Sequence, residues 1–275
     1  MTTAADNGLT VLDGGQLRLL RAIDTVFRGF AEDWDAPEFR FPFLMRCQDL
    51  DRFDYYDNFP HLGLAVTGLA PERLGSLLTE VDRPVDRLPT EVMEASGFAL
   101  PSAACYALYA DLAGAKLPAE GTLRTTVGTC FRKESHYDGL QRLLGFSMRE
   151  IVCVGPEDGA KKFLLRAKEA VAALCTELGL DFRVEVATDP FFDKNSGKAK
   201  MQRLFPVKEE FVVDGLAIGS VNYHRNFFGE RCAIQAGEAT AHTSCLAFGL
   251  ERWVHTLTER FGTAAAAASA VESLR

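Results

Sequence analysis

Two stretches of the chain combine charged, aromatic and small residues in ways that could handle a nucleotide. Phe131-Arg132-Lys133-Glu134 closes one β-rich run, and Phe146, Met148 and Glu150 lie on the next. Side chains alternate faces along a strand, so Arg132 shares a face with Glu134, and Phe146 and Met148 share one with Glu150. Pairing the two runs gathers an arginine, two carboxylates and an aromatic ring on one surface. Buried charges of that kind need partners or a ligand. A nucleotide would engage them all, with Arg132 on a phosphate, Phe146 stacked on the purine and Glu134 accepting a hydrogen bond from an amino group. Taken alone, the run reads equally as a surface ion pair beside a core phenylalanine. The second stretch is Cys245-Leu-Ala-Phe-Gly249-Leu-Glu-Arg252. A strand that ends in Gly249 and runs into a helix presents backbone N–H groups and Arg252 at the helix start, a favourable seat for an anion. In isolation it is also a plain glycine turn with an exposed arginine.

These residues need a frame. Residues 123–134 and 146–154 are rich in β-formers and separated by a polar loop, which predicts a long antiparallel hairpin. Residues 157–178 carry the clearest helix pattern, with Phe163, Ala167, Ala170, Val171, Leu174 and Leu178 on one face and Gly179 as a stop. Residues 16–30 repeat apolar side chains at helical spacing. Residues 101–112 open with Pro and Ser and continue in helix formers. Strands are expected at 63–68, 182–187, 210–213, 219–223 and 231–235, and a short helix with Pro at its first turn at 71–81. Residues 242–248 read as a strand leading into a helix that turns Leu250, Trp253, Val254 and Leu257 inward. The aromatic, Pro-rich stretch 39–62 suits extended segments packed on a core or a partner. Residues 193–203 are polar, rich in Lys and without a core face. Residues 1–13 and 264–275 are expected to be flexible tails, the latter a frayed helix at most. No repeat or linker interrupts residues 1–275, which read as a single domain. Hairpin-linked strands with helices outside βαβ alternation indicate α+β, an antiparallel sheet flanked by helices.

The chain has 275 residues, 47% hydrophobic and 25% charged, with a formal charge of -8. That length can bury a sizeable core, and the acidic balance argues against a broad nucleic-acid surface. No leader pattern opens the sequence, and no apolar run approaches the ~18 residues that span a bilayer. Seven scattered cysteines do not suggest a disulfide framework, so a cytoplasmic chain with free thiols is expected. Such thiols are buried apolar groups or metal ligands.

Taken together and in this order, the segments resemble class II aminoacyl-tRNA synthetases. Residues 131–134 look like motif 2, whose arginine holds the α-phosphate, and Gly249-Leu-Glu-Arg252 looks like motif 3, whose arginine holds the γ-phosphate. The resemblance is closer still to the metal-dependent atypical seryl-tRNA synthetases and their truncated relatives, the amino acid:[carrier protein] ligases. Phe59-Pro-His-Leu62, Asp189-Pro-Phe-Phe192, Asn222-Tyr-His-Arg225 and His242-Thr-Ser-Cys-Leu-Ala-Phe-Gly249 all look like segments of those ligases, so the likeness runs from about Phe39 to Arg260. It implies a catalytic domain of the class II synthetase fold that uses ATP and Mg²⁺, with Arg132 and Arg252 catalytic and Glu134 and Phe146 on the nucleotide. It also implies Zn²⁺ on Cys105, Glu150 and Cys245, with an open position for a substrate amino group. Cys130, which shares a strand face with Arg132, is a rival ligand. His61, His224 and His242 read as hydrogen-bonding groups, and Asn222 as a substrate contact.

The implied activity is formation of a small aminoacyl-adenylate and transfer to the phosphopantetheine thiol of an acyl carrier protein. The implied assembly is a homodimer built around residues 39–62. Transfer to tRNA ranks lower because no tRNA-binding domain or long coiled-coil arm is evident. A non-catalytic synthetase-like paralogue ranks lower because the motif residues are all present. Two departures stand out. Ala247 replaces a frequent glycine of motif 3, and the match weakens over 193–210, where the Lys-rich run would dock the carrier.

Overall fold

The computed structural model describes residues 7–77 and 84–274. Asp13 opens the first helix, α1 (Gly14–Asp33). Its carboxylate accepts the Gln16 N–H while the Gln16 side chain returns to the Asp13 N–H, a reciprocal cap. There follow β1 (Glu38–Phe39), β2 (Met45–Arg46), α2 (Cys47–Arg52), α3 (Tyr55–Asn58), β3 (Leu64–Leu69), α4 (Pro71–Leu77) and β4 (Met93–Leu100). Next come α5 (Cys105–Asp111), β5 (Lys116–Leu117), β6 (Thr122–Phe131), β7 (Gly145–Gly155), α6 (Glu157–Glu177) and β8 (Phe182–Ala187). The chain closes with α7 (Gly197–Leu204), β9 (Lys208–Val213), β10 (Leu216–Arg225), α8 (Phe227–Cys232), β11 (Gln235–Ala236), β12 (Ala239–Thr240), β13 (His242–Gly249), α9 (Leu250–Phe261) and α10 (Ala264–Glu272).

A seven-stranded sheet in the order β1-β6-β7-β13-β10-β9-β8 organises the molecule. Every neighbouring pair in it is antiparallel except β1 with β6. Alternation along the central strands splits it into two chemistries. Ile151, Cys153, Leu246 and Phe248 face α1, α6, α9 and α10 in one apolar cluster. Glu150, Val152, Val154 and Cys245 face the other way, toward α5 and α8. The helix side is anchored by aromatic packing: Phe27 stacks on Phe248 at 3.7 Å, and Trp253 meets Phe27 edge-on at 5.1 Å. The buried Arg149 guanidinium reaches the same side, where Asp24 of α1 and Glu38 of β1 pair with it. The catalytic-looking strands therefore rest on a rigid apolar layer.

Several expectations change. Of residues 264–275, position 275 lies outside the described residues and the rest are not a flexible tail: α10 is capped by Thr263 and buries Ala267, Ala268 and Val271 against α1 and α9. Its Ala-rich composition hid that face, because alanine shows no amphipathic contrast. Of residues 1–13, positions 1–6 lie outside the described residues, and the rest are held: the Gly8 carbonyl accepts the Leu144 N–H, and Gly8 lies close against Tyr137 with φ +73°. Of the strand expected at 231–235, Arg231 and Cys232 are the end of α8, because Phe228 and Cys232, four apart, are buried together and Ala233 turns left-handed to end the helix; only Gln235 is strand, the start of β11. The Lys-rich run folds as α7, capped by Ser196 and buried only at Ala199. The expected helix at 71–81 is seen as α4 to Leu77, with 78–81 outside the described residues. The docking of α10 is open to a direct check. Val271→Asp would place an uncompensated charge in the core and should lower unfolding free energy by about 3–5 kcal/mol in urea titration, whereas a frayed tail would tolerate it.

Candidate active site

The side of the sheet away from α1, α6, α9 and α10 holds the three residues expected to share a metal. Glu150 pairs across the sheet with Ala247, and Cys245 with Val152, which places the carboxylate and the thiol diagonally on neighbouring strands. Ala247, at the position where a glycine is frequent, is small enough to leave that diagonal open. Cys105 arrives from elsewhere in the chain, as the first residue of α5. Glu150 Oε1 accepts the backbone N–H groups of Ala104 (2.8 Å) and Cys105 (3.0 Å), tying the helix start to β7. The neighbouring Cys105 thiol, then His224 and Asn222, hold Cys245 well below the usual thiol range, while Cys245, burial and Glu150 push Cys105 well above it. Burial pushes the Glu150 carboxyl up to about 8, and the neighbouring Cys245 adds to the rise.

So sited, two sulfurs and a carboxylate line one cavity wall, and no Lys or Arg salt bridge reaches Glu150 among the described residues. A soft-to-borderline dication such as zinc suits that donor set. As the side chains stand, with Glu150 turned to the α5 amides, no group of three or more His, Cys, Asp or Glu among the described residues forms a ligand shell. Cys130 is buried at the opposite end of the hairpin. It pairs with Phe146, four residues from Glu150 and so roughly 13 Å away along the strand. Cys153 faces the helix layer, as its parity predicts.

The nucleotide-type residues gather next to this cluster, although not all in strands. β6 ends at Phe131, so Arg132 and Glu134 follow it in the loop and strand alternation does not set their directions. Local bonds do so instead: the Arg132 N–H donates to the Leu144 carbonyl, and the Lys133 N–H donates to the Leu62 carbonyl of the Pro60–Leu62 turn. The Arg132 guanidinium donates to the Ser102 carbonyl (3.1 Å) and lies 5.0 Å over the Phe146 ring. Glu134 accepts from Arg142 at 3.0 Å. Arg252, in the first turn of α9, donates to the carbonyls of Gln141 and Ala217, both at 2.8 Å. Its pKa is lowered by burial and then by the cations Arg132 and Arg142. Arg132, Arg142, Arg252 and Lys208 line this wall with Glu134, Glu210 and Glu251. Glu134 pairs with Arg142 and Glu210 with Lys208, which leaves Arg132 and Arg252, held by carbonyls and a ring face, as the seat for an anion.

Two cavities join these groups. One, of about 410 Å³, is lined by Cys105, Glu150, Cys245, Asn222 and Arg132. The other, of about 90 Å³, is lined by Arg132, Glu134, Phe146 and Arg252. They share Arg132, Met148, Lys208, Ser220 and Ala247. Asn222, expected to touch substrate, donates its amide hydrogens to Ser220 Oγ and Cys245 Sγ, which leaves its Oδ1 for such a contact. His242 is bound to the Tyr223 hydroxyl, His224 lies beside Cys245, and His61 Nδ1 is buried with no partner among the described residues. Arg142, Lys208 and Ser220 escaped the sequence reading. Lys208 and Ser220 were legible in principle, since β9–β10 alternation puts them on the face of Asn222, but Arg142 sits in the hairpin loop, where no period applies.

No protein-family model matches the chain. Solved structures share its fold. The M. kandleri seryl-tRNA synthetase in complex with A. aeolicus tRNASec superposes with a TM-score of 0.80 at 19% identity, covering 98% of this chain and 57% of that one. A cytoplasmic serine-tRNA ligase from Naegleria fowleri in complex with AMP gives 0.69 at 14% identity, over 94% and 51%. The seryl-tRNA synthetase from Pyrococcus horikoshii complexed with ATP gives 0.68 at 14%, over 93% and 54%. The α+β fold with its antiparallel sheet is thus that of the class II synthetase catalytic domain, and the chain spans a little over half the length of those proteins. Two curated relatives from Bradyrhizobium diazoefficiens are nearer in sequence. Amino acid--[acyl-carrier-protein] ligase 1 is 34% identical over 235 residues, 82% of this chain and 71% of that protein. Amino acid--[acyl-carrier-protein] ligase 2 is 36% identical over 228 residues, 78% and 66%. A synthetase fold and a third of all aligned residues held in common point the same way, and the chain belongs to the amino acid–[acyl-carrier-protein] ligase family.

Proposed function

We propose that this chain uses ATP to activate a small amino acid as its aminoacyl-adenylate and passes the acyl group to the phosphopantetheine thiol of a carrier protein. The observation that carries the reading is the meeting of the two cavities at Arg132. A thiol–carboxylate cluster fit to grip an amino group lies on one side of it, and an arginine-rich nucleotide seat on the other. In the first step an amino-acid carboxylate oxygen attacks the α-phosphorus of Mg²⁺-bound ATP, forming one P–O bond as the bond to pyrophosphate breaks. Arg132 lies where charge develops on the α-phosphate, Arg252 holds the γ-phosphate, and Phe146 and Glu134 hold the base. In the second step the carrier thiolate attacks the acyl carbon, the C–S bond forms and AMP departs. Cys105, Glu150 and Cys245 would hold zinc, which supplies an open position for the α-amino group. Holding both reactants in adjoining cavities supplies much of the acceleration.

The Lys-rich helix α7 supports a carrier as the acceptor. It stands at the mouth of the larger cavity, which Lys198, Met201 and Gln202 line, and exposes Met201 and Leu204 beside its cations. A homodimer built around residues 39–62 is the proposed assembly; β2 of that stretch belongs to the β2-β4-β3 sheet, whose Phe98 and Leu69 are 42% and 43% exposed. Light scattering should return twice the chain mass.

ATP–pyrophosphate exchange with a panel of amino acids, followed by labelled transfer, tests the function. Exchange should rise with glycine, alanine or serine, and label should pass to phosphopantetheinylated carrier protein rather than to tRNA. Exchange that no amino acid stimulates would sink the reading, and label on tRNA would replace it with the synthetase one.

A further inference from the structure

β10 breaks register as it passes the thiol cluster. Asn222 pairs with Cys245 and Tyr223 with Ser244, but the partner of Thr243 is Arg225 rather than His224. His224 is therefore the extra residue of a β-bulge, a device that re-aims a side chain. Arg225 completes it at φ 55°, a left-handed conformation that is costly for a residue with a side chain. The result is that Asn222 and His224 converge on one atom. Asn222 Nδ2 donates to Cys245 Sγ at 3.3 Å and to Ser220 Oγ at 3.2 Å, so both amide hydrogens are engaged. His224 Nε2 lies 3.8 Å from the same sulfur. On the far side of the ring, Nδ1 meets the hydroxyls of Tyr109 at 3.3 Å and Thr243 at 3.2 Å. Phe228 holds the ring edge-on at 5.1 Å while stacking on Tyr109 at 3.9 Å.

We propose that Asn222 and His224 are positioning residues that clamp Cys245 with two N–H···S hydrogen bonds and so prepare its sulfur to bind a metal. The proposal rests on the reading of Cys105, Glu150 and Cys245 as zinc ligands. A hydroxyl of Tyr109 or Thr243 donating to the single Nδ1 lone pair leaves the ring proton on Nε2, facing the sulfur. Two fixed donors aim the remaining sulfur lone pairs and lower their energy. Outer partners of this kind are worth about 10–100-fold in metal affinity.

Cobalt substitution tests the clamp without relying on turnover. The full chain is stripped with a chelator and refilled with Co²⁺, and the wild type should show a thiolate-to-cobalt charge-transfer band. Asn222→Ala and His224→Ala should each weaken Co²⁺ and Zn²⁺ binding about 10–100-fold. Each should also move the band to lower energy, because the sulfur electrons lose a stabilising donor. His224→Gln, which keeps an N–H donor, should recover most of both. Tyr109→Phe removes only a hydroxyl and should shift the band slightly in the same direction, which keeps the test decisive if His224→Ala does not fold. Wild-type affinity and an unmoved band in all the variants would overturn the clamp alone. A wild type with no thiolate band would overturn the zinc-ligand reading, and the clamp with it.

Discussion

Arg132→Ala is expected to slow amino-acid-dependent ATP–pyrophosphate exchange about 10³-fold, the loss seen when a preorganised charge donor is removed from a developing oxyanion. The guanidinium is already oriented before substrate arrives, by the Ser102 carbonyl at 3.1 Å and by the face of Phe146. It therefore needs little reorganisation as negative charge builds on the α-phosphate. The effect should fall on kcat more than on KM, because the contact strengthens toward the transition state. Arg132→Lys keeps a charge but loses the planar fork and the ring contact, and should recover only about a tenth to a hundredth of the wild-type rate. Arg252→Ala should behave differently. A γ-phosphate contact is made equally in ground and transition states, so the loss should appear mainly as a raised KM for ATP. Arg252 also ties the Gln141 and Ala217 carbonyls together, and its removal should cost about 1–3 kcal/mol of stability as well. Less than a tenfold loss of exchange with Arg132→Ala would return Arg132 to an ordinary surface cation.

The sequence carried the frame of this site better than its details. The hairpin, the long helix after it and the strand-to-helix passage at Gly249 were legible because each has a clear period, and β7 alternation correctly separates Glu150 from Cys153. That Cys105, Glu150 and Cys245 meet was not legible from local pattern at all, since 45 residues separate the first two and 95 the last two. Resemblance supplied that expectation, and pairing of β13 with β7 is the physical reason it holds in space. Alternation misled at Arg132 and Glu134, which lie past the end of β6, where turns rather than pleats direct side chains. It misled again at 231–235, where two buried residues four apart mark the end of a helix. The β10 bulge has no sequence signal, although alternation alone already puts His224 on the face of Asn222.

The metal proposal makes the sharpest separation among the seven cysteines. Cys245→Ser should take zinc content from about one ion per chain to nearly none and lower exchange by at least about 10³-fold, since a serine hydroxyl stays protonated at neutral pH and is a poor zinc ligand. Cys105→Ser should do the same, whereas Cys153→Ser and Cys175→Ser should keep the ion, because both face the helix layer. The argument is electrostatic. Glu150 is 1% exposed and Cys245 2%, and the donors described around them are amides, an imidazole and a neighbouring thiol. With its carboxyl raised to about 8, Glu150 holds a proton near neutral pH when no cation is bound, and ionising it in so buried a site is expensive. A dication removes that cost, and by the same token a chelator should lower both activity and melting temperature, with Zn²⁺ restoring them. Were Cys245→Ser to retain a full equivalent of zinc, or the chelated protein to keep its activity, the cluster would be a buried hydrogen-bonded pair of thiols. The amino group of the substrate would then need another anchor, for which Asp189, on the wall of the larger cavity, is the next carboxylate to examine.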